Sequence, residues 1–146
     1  MDVVRIWFHK ALVWALAVLL TASVGSIVQT QFNLAAIAAL SEPIGLVVRL
    51  QVTAQDLLGF MPAWSLVVAL ALLPAFTVAA GLHRWTQWNR LAWFMVAGVA
   101  ALASALWLLN SVFPITPIAA LRSSAGYWAM VSSGAVGGWF YVRLTT

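Results

Sequence analysis

The chain has 146 residues, of which 64% are hydrophobic and 7% are charged, whereas soluble domains carry about 25% charged residues. This composition excludes an ordinary soluble domain and favours an all-α integral membrane protein, one transmembrane domain over residues 1–146. The net charge of +4 comes from scattered single Lys and Arg residues, and there is no Cys, so the sequence predicts neither nucleic-acid binding nor thiol chemistry.

The sequence predicts a bundle of four transmembrane helices. A helix needs about 20 apolar residues, in a range of about 17–25, to cross the hydrocarbon core. Four stretches meet this requirement, at 11–28, 63–82, 91–112 and 126–142. Basic residues before the first stretch and small residues after it leave a cleaved signal peptide as an alternative, but its spanning length favours a retained helix.

The connection between the first two spans is long enough to have structure of its own. Residues 43–60 fit an amphipathic helix, because Arg49, Thr53 and Asp56 fall on one stripe at about 100° per residue. Gly59 and Pro62 are expected to separate this helix from the second span. We therefore expect it to lie in the outer membrane interface, between the first and second transmembrane helices.

The distribution of Lys and Arg predicts the orientation. Five of the seven fall on the side that holds both ends of the chain, and two on the opposite side. The positive-inside rule then places both termini in the cytoplasm, as in a bacterial inner membrane protein. The five are Arg5, Lys10, Arg84, Arg90 and Arg143, and the two are Arg49 and Arg122.

Four charged residues on the outer side form the candidate polar cluster, namely Glu42, Arg49, Asp56 and Arg122. Charges close to hydrocarbon are costly and usually need partners, so the four could line a small cavity for a headgroup, an anionic metabolite or a partner's charge. The alternative is that Arg49 and Asp56 lie on the water-facing side of an interfacial helix and that Arg122 extends its charge to the membrane surface.

No catalytic residue, metal site or cofactor is predicted. The two histidines, His9 and His83, lie near the cytoplasmic interface, whereas Glu42 and Asp56 lie near the outer one. A hydrolytic triad needs a histidine held by a carboxylate beside a nucleophile, and Asp2 is the only carboxylate on the histidine side, so a triad is disfavoured. The spans themselves contain no Asp, Glu, Lys or Arg, which disfavours an ion-coupled transporter.

Small residues on the fourth span form a candidate helix-packing face, which consists of Ser133, Gly134, Gly137 and Gly138. Glycines spaced four apart allow two helix backbones to approach closely in lipid. The face could pack against another helix of the same bundle, or it could bind another subunit or a second copy of the chain.

Two main hypotheses about function follow. The first is a noncatalytic accessory, scaffold or assembly subunit of a membrane complex, with the bilayer and other membrane subunits as partners. The second is a protein, such as a small transporter, that binds a lipid, a quinone or a small solute in an outer polar cavity. A membrane enzyme acting on a lipid headgroup is a third hypothesis, and it would require Arg49, Asp56 and Arg122 to converge.

Overall fold

The computed structural model describes residues 2–116 and 118–146 and is built from four long helices. Helix α1 covers Asp2–Ala38, α2 covers Leu46–Thr86, α3 covers Arg90–Val112 and α4 covers Ser124–Thr145. A short 3-10 turn, Ala119–Arg122, precedes α4.

Three of these helices, α1, α2 and α3, are long and apolar enough to cross a membrane. This finding supports the prediction of a helical, membrane-embedded protein. Helix α4 is not among the three, because glycines and serines replace larger apolar side chains along much of its length.

The four helices form a ring in which each helix packs against its neighbours in sequence, and α4 closes the ring on α1. The centre of the ring is filled by large apolar side chains that are fully buried, among them Leu72, Leu102, Leu106 and Met130. Phe76 and Phe94 meet edge to face near one end of this core, with ring centroids 5.2 Å apart.

The structure corrects the prediction of a separate interfacial helix at 43–60. Residues 46–60 are instead the first part of the continuous helix α2, and Pro62 lies inside it. The polar stripe of this part of α2 does not face water. Arg49, Thr53 and Asp56 turn towards polar side chains of α1, which likewise continues past residue 28 to Ala38.

Two helices extend beyond the four-helix ring. The side-chain oxygen of Gln29 accepts a hydrogen bond from the backbone N–H of Ala120 at 2.9 Å, which places residue 29 of α1 level with the 3-10 turn. Past this level α1 and α2 continue as a pair, and we refer to residues 30–56 as the hairpin extension. Its outer surface exposes apolar side chains at Leu40, Leu46 and Leu50 and polar ones at Gln51 and Gln55.

The opposite end of the ring brings together the beginning of α1, the beginning of α3 and the end of α4. His9 Nε2 donates to the carbonyl oxygen of Leu144 at 2.9 Å. Arg90 donates to the carbonyl oxygen of Thr145 at 3.2 Å and to its hydroxyl at 2.7 Å. We call this the inner end.

Candidate functional site

The hairpin extension brings two of the four predicted cluster residues, Arg49 and Asp56, to the same interface with α1. A guanidinium nitrogen of Arg49 donates to the side-chain oxygen of Gln31 at 3.2 Å. Oδ2 of Asp56 accepts a hydrogen bond from the hydroxyl of Thr30 at 2.6 Å. These two charged groups therefore bond to neutral side chains of α1.

Further hydrogen bonds join these contacts into one network. The side-chain nitrogen of Gln31 donates to the hydroxyl of Thr53 at 3.1 Å, and that hydroxyl donates to the carbonyl oxygen of Arg49 at 2.7 Å. Thr30 is fully buried, and its hydroxyl also lies 2.9 Å from the carbonyl oxygen of Ser26. Because a hydroxyl has one proton, Thr30 can donate to Asp56 or to Ser26, but not to both at once.

The other two predicted cluster residues lie outside this network. Glu42 is exposed in the loop between α1 and α2, and Arg122 is exposed at the end of the 3-10 turn. The side-chain hydrogen bonds found in the described residues do not link either of them to Arg49 or Asp56. The network joins two helices with their polar groups inward and does not form an open four-charge cavity.

The four residues of the predicted packing face on α4 are all buried. A Cβ added to Gly134 would overlap the carbonyl oxygen of Gly98 on α3, and a Cβ added to Gly98 would overlap that of Gly134. A Cβ at Gly138 would overlap the carbonyl oxygen of Phe94, and one at Gly137 would overlap the hydroxyl of Thr21 on α1. The small face is thus occupied within the chain, by α3 on one side and α1 on the other.

A second surface with small residues lies on the outside of the ring, between α2 and α3. It is a groove of about 770 Å³ that opens sideways. Its side-chain lining has a single hydroxyl, that of Ser104, which donates to the carbonyl oxygen of Ala100 at 2.8 Å. Alanines spaced four apart contribute to the lining from both helices: Ala71, Ala75 and Ala79 on α2, and Ala97, Ala101 and Ala105 on α3.

The groove was not predicted from the sequence, although the repeated alanines were a usable signal. Alanine at every fourth position puts the small side chains on one face of a helix. In an apolar helix, however, such a pattern does not say which neighbour the face meets.

Neither a metal site nor a known relative points to a function. The described residues contain no group of three or more His, Asp or Glu that could hold a metal ion. No protein family, curated protein or solved structure matches this chain. The features that bear on function are therefore the groove, the hydrogen-bond network and the two ends of the ring.

Proposed function

We propose that the chain is a noncatalytic accessory or assembly subunit of a membrane complex, and that its α2–α3 groove receives a transmembrane helix of a partner. The observation that carries the proposal is the groove itself, with alanines at its floor and larger exposed side chains such as Leu70, Val96 and Leu108 along it. Such a surface can bring two helices close together while the larger side chains pack around the incoming helix.

The energetics of helix association in lipid support this proposal. Lipid tails are as apolar as leucine, so two membrane helices gain little from burial alone and associate mainly through close packing at small residues. The glycine face of α4 is already used inside the ring. The α2–α3 groove leaves a further set of small residues open to a neighbour.

We further propose that α4 is a fourth span and that both ends of the chain lie in the cytoplasm of a bacterial cell. The contacts at the inner end support this topology, because they place the beginning of α1 and the end of α4 side by side. Five of the seven basic residues then lie at or near the cytoplasmic surface, as the positive-inside rule requires.

The topology is tested by single cysteines in this chain, which has none of its own. Ser41 lies in the loop of the hairpin extension and Gln87 lies between α2 and α3, and both are exposed. In intact cells, an impermeant thiol reagent should label Ser41→Cys and leave Gln87→Cys unlabelled until the membrane is opened. Labelling of Gln87→Cys in intact cells would contradict the cytoplasmic assignment.

The partner-binding groove is tested by filling it. Ala100 is exposed and lines the groove, so Ala100→Leu should fill it without disturbing the core. Ala15→Leu is the matched control, because Ala15 is exposed on α1 and is not among the residues that line the groove. A membrane protein that copurifies with the wild type should be retained by Ala15→Leu and reduced at least about tenfold by Ala100→Leu, as measured by quantitative mass spectrometry.

Crosslinking determines whether the occupant is a helix. A photoreactive residue at Val96, which is exposed and lines the groove, should crosslink to a transmembrane segment of that same copurified protein. Retention of the partner by Ala100→Leu, or crosslinks to the partner only outside the groove, would contradict the proposal.

The same experiment distinguishes the second candidate function, the binding of a lipid or quinone. The almost wholly apolar lining of the groove favours this alternative, because the apolar tail of a lipid or quinone needs no hydrogen-bonding group in its site. If the wild type retains a defined lipid or quinone and no protein, and Ala100→Leu releases it, the groove is a site for an apolar ligand. The outer polar cavity has less support, since Arg49 and Asp56 bond to α1 while Glu42 and Arg122 are exposed.

A further inference from the structure

A second pocket lies at the inner end, where the first turns of α1 meet the end of α4. Its volume is about 470 Å³, and it is lined by residues 144–146 of α4 and by Arg5, Ile6, His9 and Lys10 of α1. Three of these α1 residues, Arg5, His9 and Lys10, belong to the basic residue types. Ile6 and Leu144 add apolar surface beside them.

Most of the hydrogen-bond acceptors of α4 around this pocket already have donors. His9 donates to the carbonyl oxygen of Leu144, and Arg90 donates to that of Thr145. Arg90 also donates to the hydroxyls of Thr145 and Thr146, at 2.7 and 3.3 Å. The end of α4 is therefore capped by basic side chains. The C-terminal end of a helix carries partial negative charge, which favours such groups.

The charge around the pocket is mainly positive. Asp2 belongs to the first turn of α1, but its side chain lies outside the described part of the structure. The other two acidic side chains of the chain, those of Glu42 and Asp56, lie in the hairpin extension at the far end of the ring. The amine of Lys10 lies 5.8 Å from the ring centroid of Trp7, an aromatic side chain that is itself exposed.

We propose that this inner pocket binds the phosphate group of an anionic membrane phospholipid. Basic pockets between helices on the cytoplasmic side are suited to anionic headgroups, and an arginine can donate two parallel hydrogen bonds to a phosphate. Arg5 and Lys10 supply the charge, while Ile6 and Leu144, together with the exposed Trp7 beside them, give the lipid chains an apolar surface. The inference rests on the proposed cytoplasmic position of this end and is independent of any partner in the α2–α3 groove.

The test uses the full chain in a neutral detergent, titrated with phosphatidylglycerol and separately with phosphatidylcholine, with bound lipid counted by native mass spectrometry. Phosphatidylglycerol should bind at least about tenfold more tightly. Arg5→Gln combined with Lys10→Gln should weaken its binding by about tenfold or more. Arg84→Gln is the control, because Arg84 is an exposed charge near the same end and does not line the pocket.

A second variant separates the pocket from general surface charge. Ile6→Trp would fill the pocket while leaving every charge in place, and it should weaken phosphatidylglycerol binding as well. Equal losses in Arg84→Gln and in the Arg5 and Lys10 double variant, or unchanged binding in Ile6→Trp, would overturn the proposal. If inorganic phosphate binds at micromolar concentration and phosphatidylglycerol does not bind, the ligand is a soluble phosphate and the lipid assignment is wrong.

Discussion

Gly134→Ala is expected to lower the free energy of unfolding in detergent by up to about 2 kcal/mol net, because overpacking usually costs about 1–3 kcal/mol. The added Cβ would overlap the carbonyl oxygen of Gly98, a backbone atom that can move only if α3 and α4 separate. The gain in helix propensity from glycine to alanine, about 1 kcal/mol, offsets only part of this cost. Thermal or denaturant unfolding of the purified chain measures the result.

Gly81→Ala is the matched control, and its expected effect has the opposite sign. Gly81 lies within α2, and a Cβ added there would have no neighbour within 4 Å. Only the gain in helix propensity remains, so this variant should be as stable as the wild type or more stable by up to about 1 kcal/mol. If Gly134→Ala and Gly81→Ala shifted stability equally, the close approach of α3 and α4 would be refuted.

Thr30→Val is expected to lower the free energy of unfolding by about 1–3 kcal/mol, because it leaves a partly buried acceptor without its donor. Valine has nearly the shape of threonine and lacks the hydroxyl that bonds to Asp56 across the two helices at 2.6 Å. Thr77→Val removes a hydroxyl that donates only to the carbonyl oxygen of Leu73 in its own helix, at 2.8 Å on an exposed face. The Thr77 variant should be nearly neutral.

A double-mutant cycle tests whether Thr30 acts through Asp56. Thr30→Val and Asp56→Ala each remove the same hydrogen bond, so their combined loss should be smaller than the sum of the two single losses. Strictly additive losses would mean that the two side chains stabilise the hairpin independently.

Composition was sufficient to predict the helical, membrane-embedded class, because few soluble folds tolerate so little charge. The length of α1 was not predictable in the same way. The polar residues from Gln29 to Gln31 indicate, from the local sequence alone, the end of a transmembrane span. The helix nevertheless continues through them to Ala38. The polar groups of Thr30 and Gln31 are bonded to α2 residues more than 20 positions away in the chain, a contact that local periodicity does not register.

The prediction of the outer polar cluster was limited in the same way, because local periodicity does not identify the neighbouring helix. The 100° periodicity placed Arg49, Thr53 and Asp56 on one face of a helix, and all three do bond towards α1. Periodicity identifies a face without identifying its neighbour, so a stripe expected to face water instead faces another helix. The predicted break at Gly59 and Pro62 was also wrong, because proline is tolerated inside membrane helices and α2 continues through Pro62.

The hairpin extension also has a consequence for the lipid around it. The uncharged part of α1 continues from Ala11 to Ala38, about 42 Å at 1.5 Å per residue, whereas a hydrocarbon core is about 30 Å thick. This segment includes the polar residues Gln29, Thr30 and Gln31; where all of it lies within hydrocarbon, tilting of the helix or local thickening of the bilayer absorbs the difference of about 12 Å, at a cost of fractions of a kcal/mol per ångström of mismatch. Long-chain lipids reduce that mismatch and short-chain lipids increase it, so we expect the stability of this protein in a bilayer to depend on bilayer thickness.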